Sequence, residues 1–144
     1  MVERQLMTID REIRVFEREI GQLENEVREA QDLSSRDLRR RVANLRNRAD
    51  GVLDLSASAA DECSDAYSCM GAGAASMSLE GQARRLRRQA GQLQRNIKKG
   101  ETDALRAIER LRGSLRNYNR ARASIARNVT QLRGLYRGAA QRPY

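Results

Sequence analysis

The chain contains no histidine and no tryptophan, and it has one phenylalanine and one proline among its 144 residues. Histidine is the commonest general base and the commonest metal ligand, and it is the side chain whose unperturbed pKa lies near neutrality. We therefore predict no catalytic residue, no metal site and no cofactor. Because the single proline, Pro143, lies at the very end, no proline interrupts a helix before it. Long helices are permitted.

Long apolar stretches are also missing. The mean hydropathy is −0.76 and 33% of the residues are charged. No stretch approaches the ~20 apolar residues that cross a bilayer, and the N-terminus has no apolar signal-peptide region. These features predict a soluble protein, cytoplasmic or part of an assembled particle, with an elongated shape rather than a thick globular core.

The two cysteines, Cys63 and Cys69, are too few for a disulfide framework and, without histidine, cannot complete an ordinary zinc site. If both lie on one helix, their Cα atoms are about 9 Å apart, which exceeds the ~7 Å limit of a disulfide. We interpret them as buried free thiols. An intersubunit disulfide through Cys63 and Cys69 is the main alternative, ahead of metal or redox chemistry.

Aliphatic residues recur at alternating spacings of three and four. The first stripe runs from Val2 to Ala30, and others run from Leu38 to Val52, from Leu79 to Ile97 and from Ala104 to Tyr136. Stripes of this kind, mostly two positions in seven, are typical of coiled-coil seams. We predict that an oligomer or partner interface includes Leu6, Ile9, Ile13, Phe16, Ile20, Leu23, Leu111, Leu115, Ile125 and Leu132.

The heptad spacing is broken twice, near residue 34 and near residue 100. Each break is either a stutter in a continuous helix or the boundary between two helices. Ser34 or Ser35 can cap a new helix, and Gly100 after Lys98 and Lys99 is typical of a helix C-terminus. The two interpretations lead to different architectures.

The predicted fold class is all-α, and we favour a long antiparallel helical hairpin or coiled coil. It forms one elongated domain over residues 1–138, with a turn near 70–77, helices of about 60 residues reaching ~90 Å, and a tail at 139–144. The alternative is an up-down four-helix bundle. The narrow stripes favour the hairpin because bundle helices usually have three apolar positions in seven. The bundle's helices would span roughly 2–33, 36–69, 77–99 and 102–138.

Charge is distributed unevenly. Residues 1–80 hold 11 basic and 16 acidic side chains, for a net −5, whereas 81–144 hold 17 and 3, for a net +14. The two halves should attract each other, and much of the basic charge is expected to form salt bridges. Against a nucleic-acid role, the arginines surround the helix and stacking aromatics are scarce. The candidate contacts with nucleic acid or another polyanion are Arg84, Arg85, Arg87, Arg88, Lys98 and Lys99.

Arg122 stands at a core position of the last stripe, where a charge is costly. The arginine either extends its guanidinium to water, which is the more ordinary interpretation, or pairs with an acid of another helix and helps to set the register. In both interpretations the guanidinium is either solvated or paired, so no unpaired charge is buried.

These patterns predict a non-enzymatic structural or assembly protein that packs through coiled-coil seams in a larger homo- or hetero-oligomeric particle, such as a virion, an appendage or a secretion apparatus. Its partners would be copies of itself or other protein subunits. One alternative is a basic helical protein that binds or packages nucleic acid. Another is a helical chaperone or adaptor for another protein.

Overall fold

The computed structural model describes residues 2–65 and 73–141, with side chains at 3–61, 79–127, 129 and 130. Its elements are α1 (Val2–Glu29), α2 (Arg36–Asp65), α3 (Gly73–Asn96) and α4 (Glu101–Gln141). No strand occurs in these ranges. The prediction of an all-α fold is confirmed.

Each helix packs against two neighbours, in the cyclic order α1, α2, α3, α4 and back to α1. Gln5 bonds Ser58 far from the first loop and Arg41 pairs with Glu26 close to it, so α1 and α2 are antiparallel. The result is an up-down four-helix bundle in which α1 lies diagonal to α3, and α2 diagonal to α4. Loops 30–35 and 97–100 lie at the same end, which we call the loop end.

The chain thus takes the second of the two predicted arrangements, and the helices of about 60 residues do not form. A 30-residue helix such as α2 is about 45 Å long, half the length of the predicted hairpin. The argument from stripe width was wrong for α4, where Ala107 and Ser114 are also buried and widen the stripe to about three positions in seven. On α1 and α2, long charged side chains pair across the flanks of the narrower stripes.

Both interruptions of the heptad spacing are boundaries between helices rather than stutters. Ser35 Oγ accepts a hydrogen bond from the backbone N–H of Leu38 at 3.3 Å, which caps α2. Asp32 Oδ1 accepts bonds from the backbone N–H and the hydroxyl of Ser34, at 2.9 and 2.6 Å. At the second boundary Gly100 has a φ of 136°, a conformation that favours glycine.

Two predicted boundaries need correction. The turn expected near 70–77 extends too far along the chain, because α3 starts at Gly73; residues 66–72 lie outside the described ranges. The tail expected at 139–144 also starts too early, since α4 continues through Gln141. Residues 139–141 are alanine, alanine and glutamine, which are good helix formers.

Nine of the ten residues predicted to form an oligomer or partner interface lie in the core of this bundle. The helices of the same chain cover their side chains, so they offer no surface to another chain unless the bundle opens. Assembly through them stays a prediction. The side chain of Leu132 lies outside the described residues, and the other nine are at most 5% exposed: Leu6, Ile9, Ile13, Phe16, Ile20, Leu23, Leu111, Leu115 and Ile125.

Polar contacts cross the core between diagonal and neighbouring helices. Ser56 of α2 donates its hydroxyl to the carbonyl of Val52 at 2.7 Å, so the Tyr118 hydroxyl of α4 is the donor in the 2.6 Å bond to Ser56. Arg122 pairs with Asp10 of α1 at 3.5 Å and is largely buried. Of the two interpretations of Arg122, the structure shows the pair with an acid of another helix.

Candidate functional site

The acidic side chains of α1 and α2 pair with only part of the basic charge. Within the first half, Arg48 bonds Glu12 and Glu19 at 2.7 and 2.9 Å. The pair Arg84–Glu80, at 2.9 Å, lies within α3. Among the described residues, three ion pairs join α1 or α2 to a neighbouring helix, α3 or α4. They are Arg87–Asp50 at 2.9 Å, Arg112–Glu24 at 2.6 Å and Arg122–Asp10 at 3.5 Å.

The remaining cations of α3 lie opposite its buried stripe. Leu86, Ala90, Leu93 and Ile97 face the core. At 3.6 residues per turn, Arg88 and Arg95 fall on the far side of the helix. The expectation that the arginines of the basic half surround the helix is therefore wrong for α3, where Arg88 and Arg95 lie on the outward side.

The flank between α3 and α4 is basic on both helices. Arg87 reaches α2, and a residue two positions away lies about 200° round the helix, so Arg85 lies on the flank next to α4. On α4, Arg112 reaches α1, which by the same rotation places Arg110 next to α3. We call the following set the basic surface; its members are exposed and have no ion pair or side-chain hydrogen bond among the described residues: Arg85, Arg88, Arg95, Lys99, Arg106 and Arg110.

A cleft of about 720 Å³ opens beside this surface at the loop end, between α2, α3 and both loops. Leu33, Val42 and Ile97 contribute apolar walls. Asp32 is its single acid, and hydrogen bonds from the side chain and backbone of Ser34 lower the pKa of that carboxyl. The cations that line the cleft come from two helices and a loop: Arg39, Arg46, Arg95, Lys98 and Lys99.

The predicted polyanion contacts divide into three groups. Arg84 and Arg87 are engaged by Glu80 and Asp50, each at 2.9 Å. Arg85 and Arg88 belong to the basic surface, whereas Lys98 and Lys99 line the cleft. Lys99 belongs to both areas, so the basic surface and the cleft adjoin there. None of these four residues has an ion pair among the described residues.

Sequence reasoning missed Arg39 and Arg46, because they belong to the acidic half of the chain. Their place in the cleft follows only from the reversal of the chain at both loops, which sets the start of α2 beside the end of α3. The signal for it was present in the capping residues Ser35 and Gly100. Read as helix boundaries, they put both loops at one end.

The predicted intersubunit disulfide stays a prediction. Cys63 lies on α2, but its side chain is outside the described set, and Cys69 is outside the described residues altogether. Across residues 2–65 and 73–141, no cluster of acidic or cysteine side chains is suited to a metal ion. None of the helices there is long and apolar enough to cross a membrane.

Comparison of the chain with models of protein families, with curated proteins and with solved structures finds no match. The functional argument therefore rests on the bundle's own residues.

Proposed function

We propose that the protein is a non-enzymatic helical bundle that binds a polyanion, foremost the phosphate backbone of nucleic acid, through its basic surface. One observation supports the proposal: six exposed cations of α3, α4 and the loop between them lie on one side of the bundle, and none has an acidic partner among the described residues. Phosphate neutralisation releases counterions and is the main source of sequence-independent affinity for nucleic acid.

The character of the surface favours backbone contacts over base recognition. Phe16 and Tyr118 are buried in the core, and no other aromatic side chain is described. Single-strand binding proteins use aromatic side chains on which bases stack. The side faces of two packed helices also make a broad surface, which suits the regular phosphates of a duplex. We therefore propose a DNA or RNA duplex as the preferred form.

The test is fluorescence anisotropy with a labelled short duplex and its single strand at low salt. The double variant Arg106→Gln/Arg110→Gln should bind the duplex about tenfold more weakly, because two phosphate contacts are lost. Arg11→Gln/Arg18→Gln is the matched control: both arginines are exposed on α1, have no ion pair among the described residues and carry the same charge. Equal losses in both variants, or no binding by the wild-type protein, would contradict the proposal.

The structural and assembly role predicted from the heptad stripes remains a second proposal. It now requires either that the bundle opens or that a surface other than the stripes forms the contact. The substitutions Leu111→Asp and Leu115→Asp do not separate these cases, since both residues are buried and the variant would unfold. Light scattering of the wild-type chain over a range of concentrations does, and a monomer throughout would argue against assembly.

A further inference from the structure

The cleft at the loop end has a composition that the basic surface lacks. Its cations line one open cleft instead of spreading over a face, and α2 contributes Arg39 and Arg46 to the lining. Arg46 donates a hydrogen bond to Gln94 Oε1 of α3 at 2.8 Å, which ties the two walls together. The site is therefore built by tertiary contact between helices distant in sequence.

Side chains carry the positive potential of the cleft. The N-terminus of α2 and the C-terminus of α3 both lie at this end, and their helix dipoles have opposite signs there. Asp32 is the one opposing charge, and its Oδ1 oxygen is already bonded twice by Ser34. Five cations facing one engaged carboxylate leave the cleft strongly electropositive.

The dimensions suit a small ligand. A volume of about 720 Å³ lies within the range of ordinary small-molecule pockets. Gly91 and Gly100 contribute no side chain to the lining, which helps to keep the space open. Leu33, Val42 and Ile97 add apolar walls beside the cations.

We propose that this cleft binds a compact oligophosphate group, carried either by a free small molecule or by the phosphorylated end of a nucleic-acid strand. Guanidinium groups bind phosphate oxygens through paired hydrogen bonds, and lysines add mobile point charges. The site shares Arg95 and Lys99 with the basic surface, but it does not rest on the proposed function, because Arg39, Arg46 and Lys98 belong to the cleft alone. A ligand here would connect both loops and stabilise the bundle.

The experiment measures the melting temperature of the full chain as sodium triphosphate is added, with sodium sulfate at matched ionic strength as reference. We expect a saturable increase with triphosphate that exceeds the sulfate effect, because a ligand that binds the folded state stabilises it. The variant Arg39→Gln/Arg46→Gln should weaken triphosphate binding at least about tenfold. The variant Arg106→Gln/Arg110→Gln removes equal charge outside the cleft and should leave the binding of triphosphate within about twofold of wild type.

The two double variants separate this proposal from the proposed function. Loss of triphosphate binding in the cleft variant, but not in Arg106→Gln/Arg110→Gln, supports a distinct site. That result supports it whether or not the basic surface binds a duplex. Equal weakening by both variants, or equal effects of triphosphate and sulfate, would overturn it. Duplexes with a 5′-phosphate or a 5′-hydroxyl identify the source: tighter binding of the phosphorylated duplex that the cleft variant abolishes assigns the ligand to a strand end, and no difference assigns it to a free oligophosphate.

Discussion

Tyr118 has the largest fully buried side chain of the core, and this side chain carries a polar hydroxyl. Its hydroxyl finds its acceptor on Ser56 of the diagonal helix, so the bond joins α2 to α4, which share no flank in the cyclic order. A buried hydroxyl without a partner costs about 1–3 kcal/mol, which penalises any packing that separates Tyr118 from Ser56. The pair therefore favours one axial register of the bundle.

Burial also makes Tyr118 a source of pH-dependent stability. Removal from water raises the pKa of its hydroxyl to about 12 from 10.0, and the Ser56 bond and the Arg122 charge oppose that shift only in part. The unfolded chain releases this proton near pH 10.0 while the folded chain retains it. Stability should thus be complete below pH 10.0 and fall through the window up to about pH 12, by about 1.4 kcal/mol per unit.

Urea denaturation across this pH range provides the measurement, with Tyr118→Phe as the control. The variant should be less stable at neutral pH by about 1 kcal/mol, because the bond to Ser56 is lost. Above pH 10.0 its stability should decline less steeply than that of the wild type. All other residues are the same in the two proteins, so the difference between the two curves isolates the contribution of Tyr118. Parallel declines would show that Tyr118 does not titrate as its burial requires.

At the scale of elements, the boundary between α3 and α4 depends on one backbone conformation. Gly100 has a φ of 136°, where a β-carbon is strained, so Gly100→Ala should lower the free energy of unfolding by about 1–3 kcal/mol. Gly81 is the internal control: it lies within α3, and a β-carbon there would meet nothing within 4 Å. Gly81→Ala should raise the same free energy by about 0.5–1 kcal/mol. Chemical denaturation measures both, and shifts of the same sign would refute this assignment.

The α1–α2 contact depends on Arg48, whose guanidinium lies between two acids of α1. Its hydrogen bond to Glu19 is the largest cause of its raised pKa, followed in the same direction by the bond to Glu12. The side chain is 26% exposed, so solvent screens the pair only partly. Arg48→Gln should cost about 1–2 kcal/mol of stability.

Salt dependence distinguishes this ion pair from ordinary packing. The difference between wild type and Arg48→Gln should shrink as NaCl is raised, since screening weakens the pair in the wild type. Arg18→Gln, at an exposed position with no ion pair among the described residues, should change stability by less than about 0.5 kcal/mol at any salt. A salt-independent difference for Arg48→Gln would mean that its aliphatic stem, not its charge, supports the contact.

Helical periodicity and core composition could be predicted from sequence because both depend on local spacing. The stripe from Leu6 to Val27 is buried as predicted, and the i,i+4 pairs Asp10–Arg14 and Glu24–Arg28 form at 3.1 and 3.7 Å. Whether a break is a stutter or a reversal of the chain depends on the free-energy difference between two packing arrangements of the whole chain. No single residue of the sequence indicates the sign of that difference. The prediction of a long hairpin was wrong for this reason.

At the scale of the whole molecule, the cyclic order of helices decides where charge remains unpaired. Residues 81–144 carry a net +14, yet α3 lies diagonal to the acidic α1 and cannot reach it. Of the two helices of the basic half, only α4 borders α1, and its Arg112 and Arg122 pair with acids there. The sequence therefore predicted the excess of charge but not its place, because the place follows from topology. The same topology brings Arg39 and Arg46 to Lys98 in the cleft.

The arrangement predicts a specific salt dependence for duplex binding. The logarithm of the affinity should fall linearly with the logarithm of salt concentration, with a slope of about −0.9 per phosphate neutralised, so the six cations of the basic surface set a limit near −5. Arg106→Gln/Arg110→Gln should reduce the magnitude of that slope by about 2, whereas Arg11→Gln/Arg18→Gln should leave it unchanged. Anisotropy titrations at several salt concentrations measure the slopes. If the α1 control lowers the slope as much as the α4 variant does, the polyanion is held by the net charge of the molecule and not by the face that topology leaves unpaired.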